Sequence, residues 1–408
     1  MVAAGDALAR LVREERTGVL ATLVRVTGSV DRAEDAVQDA VARALETWPR
    51  DGVPANPRAW LLVVARRRAI DHVRRESGRS GKEREAEAMM DIDPTPETTE
   101  TVRDDLLRLV FICCHPSLAA EAQVALALRT LGGLSTAEVA RALLVPEATI
   151  SKRLTRAKQK IARARIPYRV PTAAELPSRL AAVAATIYLI FNEGYAAGTG
   201  SHLVRAPMAD EAIRLARLLV DLMPDEPTTL GLLALLLLHD ARRLTRTDDE
   251  GDAVLLIDQD RTRWDVSNIK EGVELVGAAF RVSPDRPDRY AAQAAVAACH
   301  ALAPSYAETD WGAIVSWYDV LLTVQDTPVV RLNRAVAVAE RDGPHAGLAL
   351  VDGIDGLDGY PWWHATRAEL LSRSGDDSGA RDAFARALAL GTSEPLAAQL
   401  RRRLATLG

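Results

Sequence analysis

Between residues 134 and 166 the chain reads LSTAEVARALLVPEATISKRLTRAKQKIARARI, and here residue type and spacing converge on one chemistry. Ser135 followed by Glu138 is a capping box, opening a helix of about nine residues. Leu144-Val145 supplies a turn, and Pro146 stands where a second helix would begin, its φ already suited to the first helical position. Two short helices about a tight turn form a helix-turn-helix, whose second helix enters the major groove of DNA. Helical phase puts Ile150, Leu154, Ala157 and Ile161 on one face as core. Lys152, Thr155, Arg156 and Gln159 fall opposite, where their donors and acceptors would meet base edges. Ser151, Arg153, Lys158 and Lys160 flank them at positions suited to phosphates. A merely solvated helix can carry the same charge. Here cap, turn, proline and face agree independently.

A second constellation lies in WLLVVARRRAIDHVRRE, residues 60–76, after the loop RDGVPANPRA. Leu62, Ala65, Ala69, Ile70 and Val73 are expected on the buried side. Trp60, Arg67, Asp71, Arg74 and Arg75 share the other, with Arg68 at its edge. An aromatic among arginines holds single-stranded nucleic acid by stacking and backbone neutralisation. Trp60 reads equally well as core, and both readings stay open. Upstream, Asp31 and Glu34 look like another capping-box pair, opening DRAEDAVQDAVARALETW. Its apolar face is Ala33, Val37, Ala40, Val41 and Ala44. Asp35, Asp39 and Glu46 point away, with Gln38 at the border; from this helix alone the stripe reads as plain solvation.

The elements that must position these groups are helices. Of 408 residues 48% are hydrophobic and only 4% aromatic, a mixture rich in Ala and Leu that favours helices packed on helices. The length predicts two or three domains. Residues 1–77 read as several helices, 78–103 as a flexible acidic linker, 104–170 as the helix-turn-helix domain and 171–408 as a long helical domain. The net charge of −5 conceals a division. Residues 106–170 hold eleven Lys and Arg against three Asp and Glu, whereas 171–408 balance to −10. A basic segment between acidic neighbours suggests a polyanion partner for that segment alone. In the long domain, TPVVRLNRAVAVAERDGPHAGLALVDGI and YPWWHATRAELLSRSGDDSGARDAFARALAL repeat a helix–break–helix plan, with small Ala380, Ala383 and Ala387 beside large Phe384. Their spacing is near the ~34 residues of a tetratricopeptide unit, which implies stacking into a solenoid. AVLLIDQDRTRWD, 253–265, breaks the helical pattern and is expected to be a strand or loop.

The N-terminus lacks the apolar core of a signal peptide, and the apolar run Leu230–Leu238 is too short for a membrane span. Three cysteines, two of them adjacent, fit a reduced cytoplasm. Cys113-Cys114-His115 is a poor metal set without a second ligand pair and reads as packing. No metal ion or cofactor is expected, and no membrane association.

These segments together resemble the extracytoplasmic-function branch of the sigma-70 family, an all-α class. AEDAVQDAVARALETWP is similar to the polymerase-binding segment of region 2, NPRAWLLVVARRRAIDHVRR to the −10 segment, and LSTAEVARALLVPEATISKRLTRAKQKI to the region 4 helix-turn-helix. DDLLRLVFICCHPSLAAEAQVALALRTLGG, IYLIFNEGYAAG, LLLLHDARR, LIDQDRTRWD and VVRLNRAVAVAERDGP resemble the subgroup with a tetratricopeptide-like C-terminal extension. The resemblance implies core RNA polymerase (its β′ clamp and β flap) and promoter DNA as partners. It implies that Asp35, Gln38 and Asp39 bind the clamp. It places Asn56, Arg58, Trp60, Arg67, Arg68, Asp71, Arg74 and Arg75 in the −10 segment, where a flipped base is held. It puts −35 reading on Ser151, Lys152, Thr155 and Arg156. Arg67 departs from the Asn of many relatives, which leaves the −10 preference open.

For the long domain three readings compete. It regulates a sigma factor, through a protein or small-molecule regulator; it serves a one-component regulator; or it is an enzyme using Phe191, Asn192, Glu193, Gly194, Tyr195, His202, Asp258, Asp260 and Trp264. The enzyme reading lacks any Walker loop, dinucleotide fingerprint, HExxH or nucleophile elbow. A mere regulator has no use for an acidic clamp helix beside a Trp/Arg helix.

Overall fold

The computed structural model describes residues 2–77, 99–143, 145–164, 166, 168–195, 206–248, 251–391 and 394–407, with side chains described from residue 15 and omitted at 72–77, 99–100 and 396. Among these residues the fold is all-α, and the only pairing of extended backbone is a single bridge between Thr247 and Ala253. The chain divides into two compact units, Met1–Thr186 and Ile187–Gly408.

In the first unit α1 (Val2–Thr27), α2 (Val30–Asp51) and α3 (Pro57–Ser77) pack mutually. Small residues make this close: Ala33, Ala36, Ala40 and Ala44 of α2 are buried along one stripe. The cap of α2 is Ser29, whose hydroxyl accepts from the Arg32 N–H, and not the expected Asp31. Asp31 and Glu34 serve elsewhere. Gly52, at φ 85°, closes the other end, donating its N–H to the Trp48 carbonyl at 3.0 Å and turning the chain into the 52–56 loop. In α3 the buried stripe is Leu61, Ala65 and Ala69, whereas Leu62 and Ile70 are half-buried; the apolar run WLLVVA admits either phase, and packing against α1 and α2 selects Leu61.

Then follow α4 (Thr99–Cys113), α5 (Ala120–Thr130), α6 (Thr136–Ala142) and α7 (Glu147–Arg163). Helix α4 starts at Thr99 and packs along α1, so the segments read from sequence as separate domains share one compact unit. Of the expected linker 78–103, residues 78–98 lie outside the described residues and 99–103 are the first turns of α4. The unit runs on into α8 (Leu176–Tyr195), whose Thr186 hydroxyl donates to Gln123 at 2.9 Å.

The second unit contains α9 (Ala206–Leu222), α10 (Pro227–Asp240), α11 (Val266–Val282), α12 (Arg289–Leu302), α13 (Trp311–Val324), α14 (Pro328–Asp342), α15 (Pro344–Asp352), α16 (Pro361–Arg373), α17 (Asp377–Leu390) and α18 (Glu394–Ala405). Helices pack chiefly on their neighbours along the chain, as a helical array requires. Ala380, Ala383, Phe384 and Ala387 form one buried cluster with Ala368, Leu371 and Leu400. Residues 253–265 form a loop with two 3₁₀ turns, Leu256–Asp258 and Arg261–Arg263. From α18, Arg402 pairs with Asp252, so the array returns to this loop. Close helix approaches depend on glycine: a Cβ on Gly231 of α10 would lie 2.4 Å from the Ala291 nitrogen of α12.

Two half-buried histidines contribute to the unit's acid response. Burial, then the Arg242 and Arg246 charges, lower His239 to about 3; burial, then Arg242 and Arg261, lower His300 to about 4. Both folded values lie below the unfolded value of about 6.5, so their contribution is full above that pH and fades as pH falls through the folded values. The melting temperature of the second unit is therefore expected to fall between pH 6.5 and 4 (about the two reference values), and to fall less in His239→Gln. Gly231→Ala is expected to cost roughly 1–3 kcal/mol; an unchanged denaturation midpoint would contradict the close α10–α12 approach.

Candidate nucleic-acid interface

Helix α6 opens on the capping box: Ser135 Oγ accepts from the Glu138 N–H at 3.2 Å, and Glu138 Oε2 accepts from the Ser135 N–H at 2.7 Å. Hydrogen bonding to Ser135 keeps the Glu138 carboxyl below its usual range. Ile150, Leu154 and Ala157 are buried and anchor α7. Its outward face carries Ser151, Lys152, Thr155, Arg156 and Gln159, all exposed, with Arg153 half-buried. Thr155 donates back to the Ser151 carbonyl at 2.9 Å. Two basic residues behave differently. Lys160 donates to the Ser117 carbonyl. Lys158, expected at a phosphate, instead reaches back to α2, with Asp31 at 2.7 Å and Glu34 at 2.8 Å. Burial opposes its charge, but Glu34 and Asp31 outweigh that and raise the ammonium above its ordinary range.

Between α2 and α3 lies an open cavity of about 530 Å³. Trp48 and Trp60 meet edge-on there, ring centroids 5.4 Å apart, and Arg43, Arg67, Arg68, Asp51 and Asp71 complete a charged lining. Aromatic faces with mixed donors and acceptors suit an unstacked base. Trp60 thus packs and lines the cavity at once. Arg58 faces away, pairing with Glu15 of α1 at 3.2 Å, and Asn56 Oδ1 accepts from the Ala59 N–H at 3.0 Å to start α3. The side chains of Arg74 and Arg75 lie outside those described. Sequence reasoning missed Trp48 and Arg43; both stand one helix before the Trp/Arg segment, and only the fold brings them together.

On α2, Asp35 and Gln38 are exposed and Asp39 half-exposed, one face shared with Leu45. Leu45 is 58% exposed, an apolar anchor beside the acids that its helical phase could have revealed.

The 191–195 motif is largely architectural. Phe191 is buried and stacks on Tyr195 at 5.2 Å, and Asn192 is hydrogen-bonded to Tyr188. A Cβ on Gly194 would lie 2.4 Å from the Ala209 nitrogen, and Glu193 is half-buried. Asp260 caps the Arg261–Arg263 turn, and the Trp264 indole donates to Thr245 at 2.9 Å. Asp258 lines a cleft with Gln399 and Arg402. His202 lies outside the described residues.

Residues 11–79 match the family model of sigma-70 region 2, and residues 108–161 that of sigma-70 region 4. Over 156 residues the chain is 35% identical to the ECF RNA polymerase sigma factor SigL of Mycobacterium tuberculosis, covering 37% of this chain and 85% of that one. The chain belongs to the extracytoplasmic-function sigma factors. ECF RNA polymerase sigma factor SigK of Mycobacterium ulcerans is 31% identical over 154 residues, 36% of this sigma factor and 80% of the relative. An uncharacterised protein of Rhizobium meliloti, R00370, is 46% identical over 396 residues, 95% of this chain and 93% of its own. Residues 179–280 match a family of unknown function (DUF6596). Among the described residues no helix is long and apolar enough to cross a membrane.

In this sigma factor region 2 and region 4 are joined by buried charge. Besides Lys158, Thr130 of α5 donates to Glu34 at 3.4 Å, and Asp105 of α4, fully buried, accepts from Arg25 of α1 at 2.8 Å. The Tyr168 hydroxyl donates to the Ala21 carbonyl at 2.6 Å. Cys113 lies at the same junction, its thiol buried and pushed well above its usual range by burial, then by Cys114 and Glu34; burial pushes Cys114 up to about 12. Lys158→Ala leaves Glu34 short of its main cation, at a cost of about 2–3 kcal/mol, discounted from a fully buried pair because Lys158 keeps some exposure. Iodoacetamide at neutral pH is expected to label half-buried Cys299 first in the wild type, and Cys113 faster in Lys158→Ala. An unaltered Cys113 rate would mean that the ion pair does not hold the junction.

Proposed function

We propose that this chain directs RNA polymerase to a defined promoter class and that its C-terminal helical unit, of tetratricopeptide-like type, regulates that activity. The observation that carries the reading is that one unit holds both an aromatic–arginine cavity and a basic helix-turn-helix, two surfaces suited to nucleic acid. The cavity at Trp48, Trp60, Arg67 and Arg68 suits a −10 base taken out of the stack. The face at Ser151, Lys152, Thr155 and Arg156 suits −35 base edges. Asp35, Gln38 and Asp39, with Leu45 beside them, supply the clamp-binding face of α2. No catalytic step is assigned to the chain.

Simple geometry supports a closed and an open form. Elements at −10 and −35 are separated by about 25 base pairs, roughly 85 Å along the duplex at 3.4 Å per pair. An α7 lysine in direct ion pair with α2 is incompatible with both elements being read across that span. Engagement of the promoter therefore requires the Lys158 and Asp105 contacts to part, and a regulator acts by shifting that equilibrium.

Run-off transcription with purified core polymerase and a genomic library tests the reading. The full chain is expected to yield discrete transcripts, and a chain ending at Tyr195, which keeps α8 whole, to yield a changed amount. Asp39→Arg should lose polymerase in a pull-down while keeping helicity. Arg156→Ala should lose about 1–3 kcal/mol of specific binding at one promoter position. DNA binding without any transcript would instead make the chain a one-component regulator.

A further inference from the structure

At one place the second unit gathers arginines and histidines with no carboxylate paired to them among the described residues. Several of its arginines are paired: Arg243 with Asp210 and Asp240, Arg217 with Glu271, Arg334 with Asp319, Arg403 with Glu369. Arg242, Arg246 and Arg261 are not; among the described residues no carboxylate pairs with any of them. Arg246 lies over the Tyr195 ring, its guanidinium carbon 3.5 Å from the centroid, and donates to the Tyr195 carbonyl. Arg242 lies 5.7 Å from the same centroid, and the His239 ring 5.3 Å away. Arg261 covers Trp264 at 4.9 Å and donates to the carbonyls of His300 and Ala303 at 2.6 and 2.7 Å.

These groups act on one another. Burial lowers His239, Arg246, Arg261 and His300, and the Arg242 charge lowers all four further, while Tyr195 acts the other way on Arg246. Among the described residues no carboxylate acts on them. Two buried polar atoms also lack a hydrogen-bond partner, the Tyr195 hydroxyl and His300 Nδ1. Burying like charges and unpaired polar atoms together is costly, and an anion removes both costs at once.

We propose that Tyr195, His239, Arg242, Arg246, Arg261 and His300 form a binding site for a small phosphorylated ligand. A phosphoryl group brings up to two negative charges and three acceptor oxygens. Planar guanidiniums match that geometry, and the Tyr195 hydroxyl and His300 Nδ1 gain an acceptor. The site stands on the second unit's own residues and goes beyond the regulatory reading, which needs no particular ligand.

Isothermal titration of the full chain with pyrophosphate tests the site, at ionic strength matched with chloride. Saturable binding is expected, about tenfold weaker in Arg242→Gln, a loss equivalent to one charge-assisted hydrogen bond. Arg156→Ala, on the DNA-facing helix, is expected to bind as the wild type does. Because Arg242 is only half-buried, Arg242→Gln should fold. With one of the opposed cations gone, it should also melt higher than the wild type without ligand. No saturable binding, equal binding by Arg242→Gln, or citrate binding as tightly as pyrophosphate would each overturn the assignment. So would protection by a single-stranded oligonucleotide alone. Binding is read on the protein and regulation on transcript yield, so either conclusion can fail without the other.

Discussion

Two buried carboxylates sit where the two halves of the first unit meet, and each takes a cation from the other side, although Asp105 also pairs with Arg108 of its own helix at 2.7 Å. Glu34 belongs to region 2 and meets Lys158 of region 4; Asp105 precedes region 4 and meets Arg25 of region 2. A buried carboxylate without its cation is strongly disfavoured, so the two halves cannot drift apart gradually. Parting the halves takes Lys158 from Glu34 and lets water reach that acid, whereas Asp105 loses Arg25 but keeps Arg108. The helices between them inherit that constraint: α4 lies along α1, and Tyr168 fixes the segment after α7 against Ala21.

The helix-turn-helix was legible in sequence because its determinants are local. A capping box, a proline and three apolar positions at helical spacing need no knowledge of the rest of the chain. Lys158 shows where that reasoning stops. Its phase correctly excludes it from the α7 core, but nothing within α7 says that Asp31 and Glu34 wait on another helix. The same holds for the cavity. Trp60 and Arg67 were visible as a pair, whereas Trp48 enters only because Gly52 reverses the chain and lays α3 against α2. In α3 an unbroken apolar run made Leu61 and Leu62 interchangeable in pattern, and only packing separates them. The acidic face of α2 was legible as a stripe; its meaning came from resemblance.

The second unit was legible as helices in sequence order, since neighbour-on-neighbour packing leaves a local signature of small and large residues. The cation cluster was not. Arg242 and Arg243 are adjacent and identical in type, yet Arg243 has two carboxylates and Arg242 none among the described residues. Which arginine a carboxylate reaches is decided by helix placement, not by composition. The net −10 of residues 171–408 even points the other way, because the acids lie elsewhere on the surface.

The ion pair between Arg402 of α18 and Asp252 has a temporal side. A chain leaving the ribosome folds its earlier domains first. The promoter-reading unit has its helices available while most of the array is still unmade, and the array returns on itself only when α18 emerges. Nascent chains thus pass through an interval in which the DNA-binding part is complete and its companion still lacks its last helices. Synthesis rate through the later helices sets how long that interval lasts.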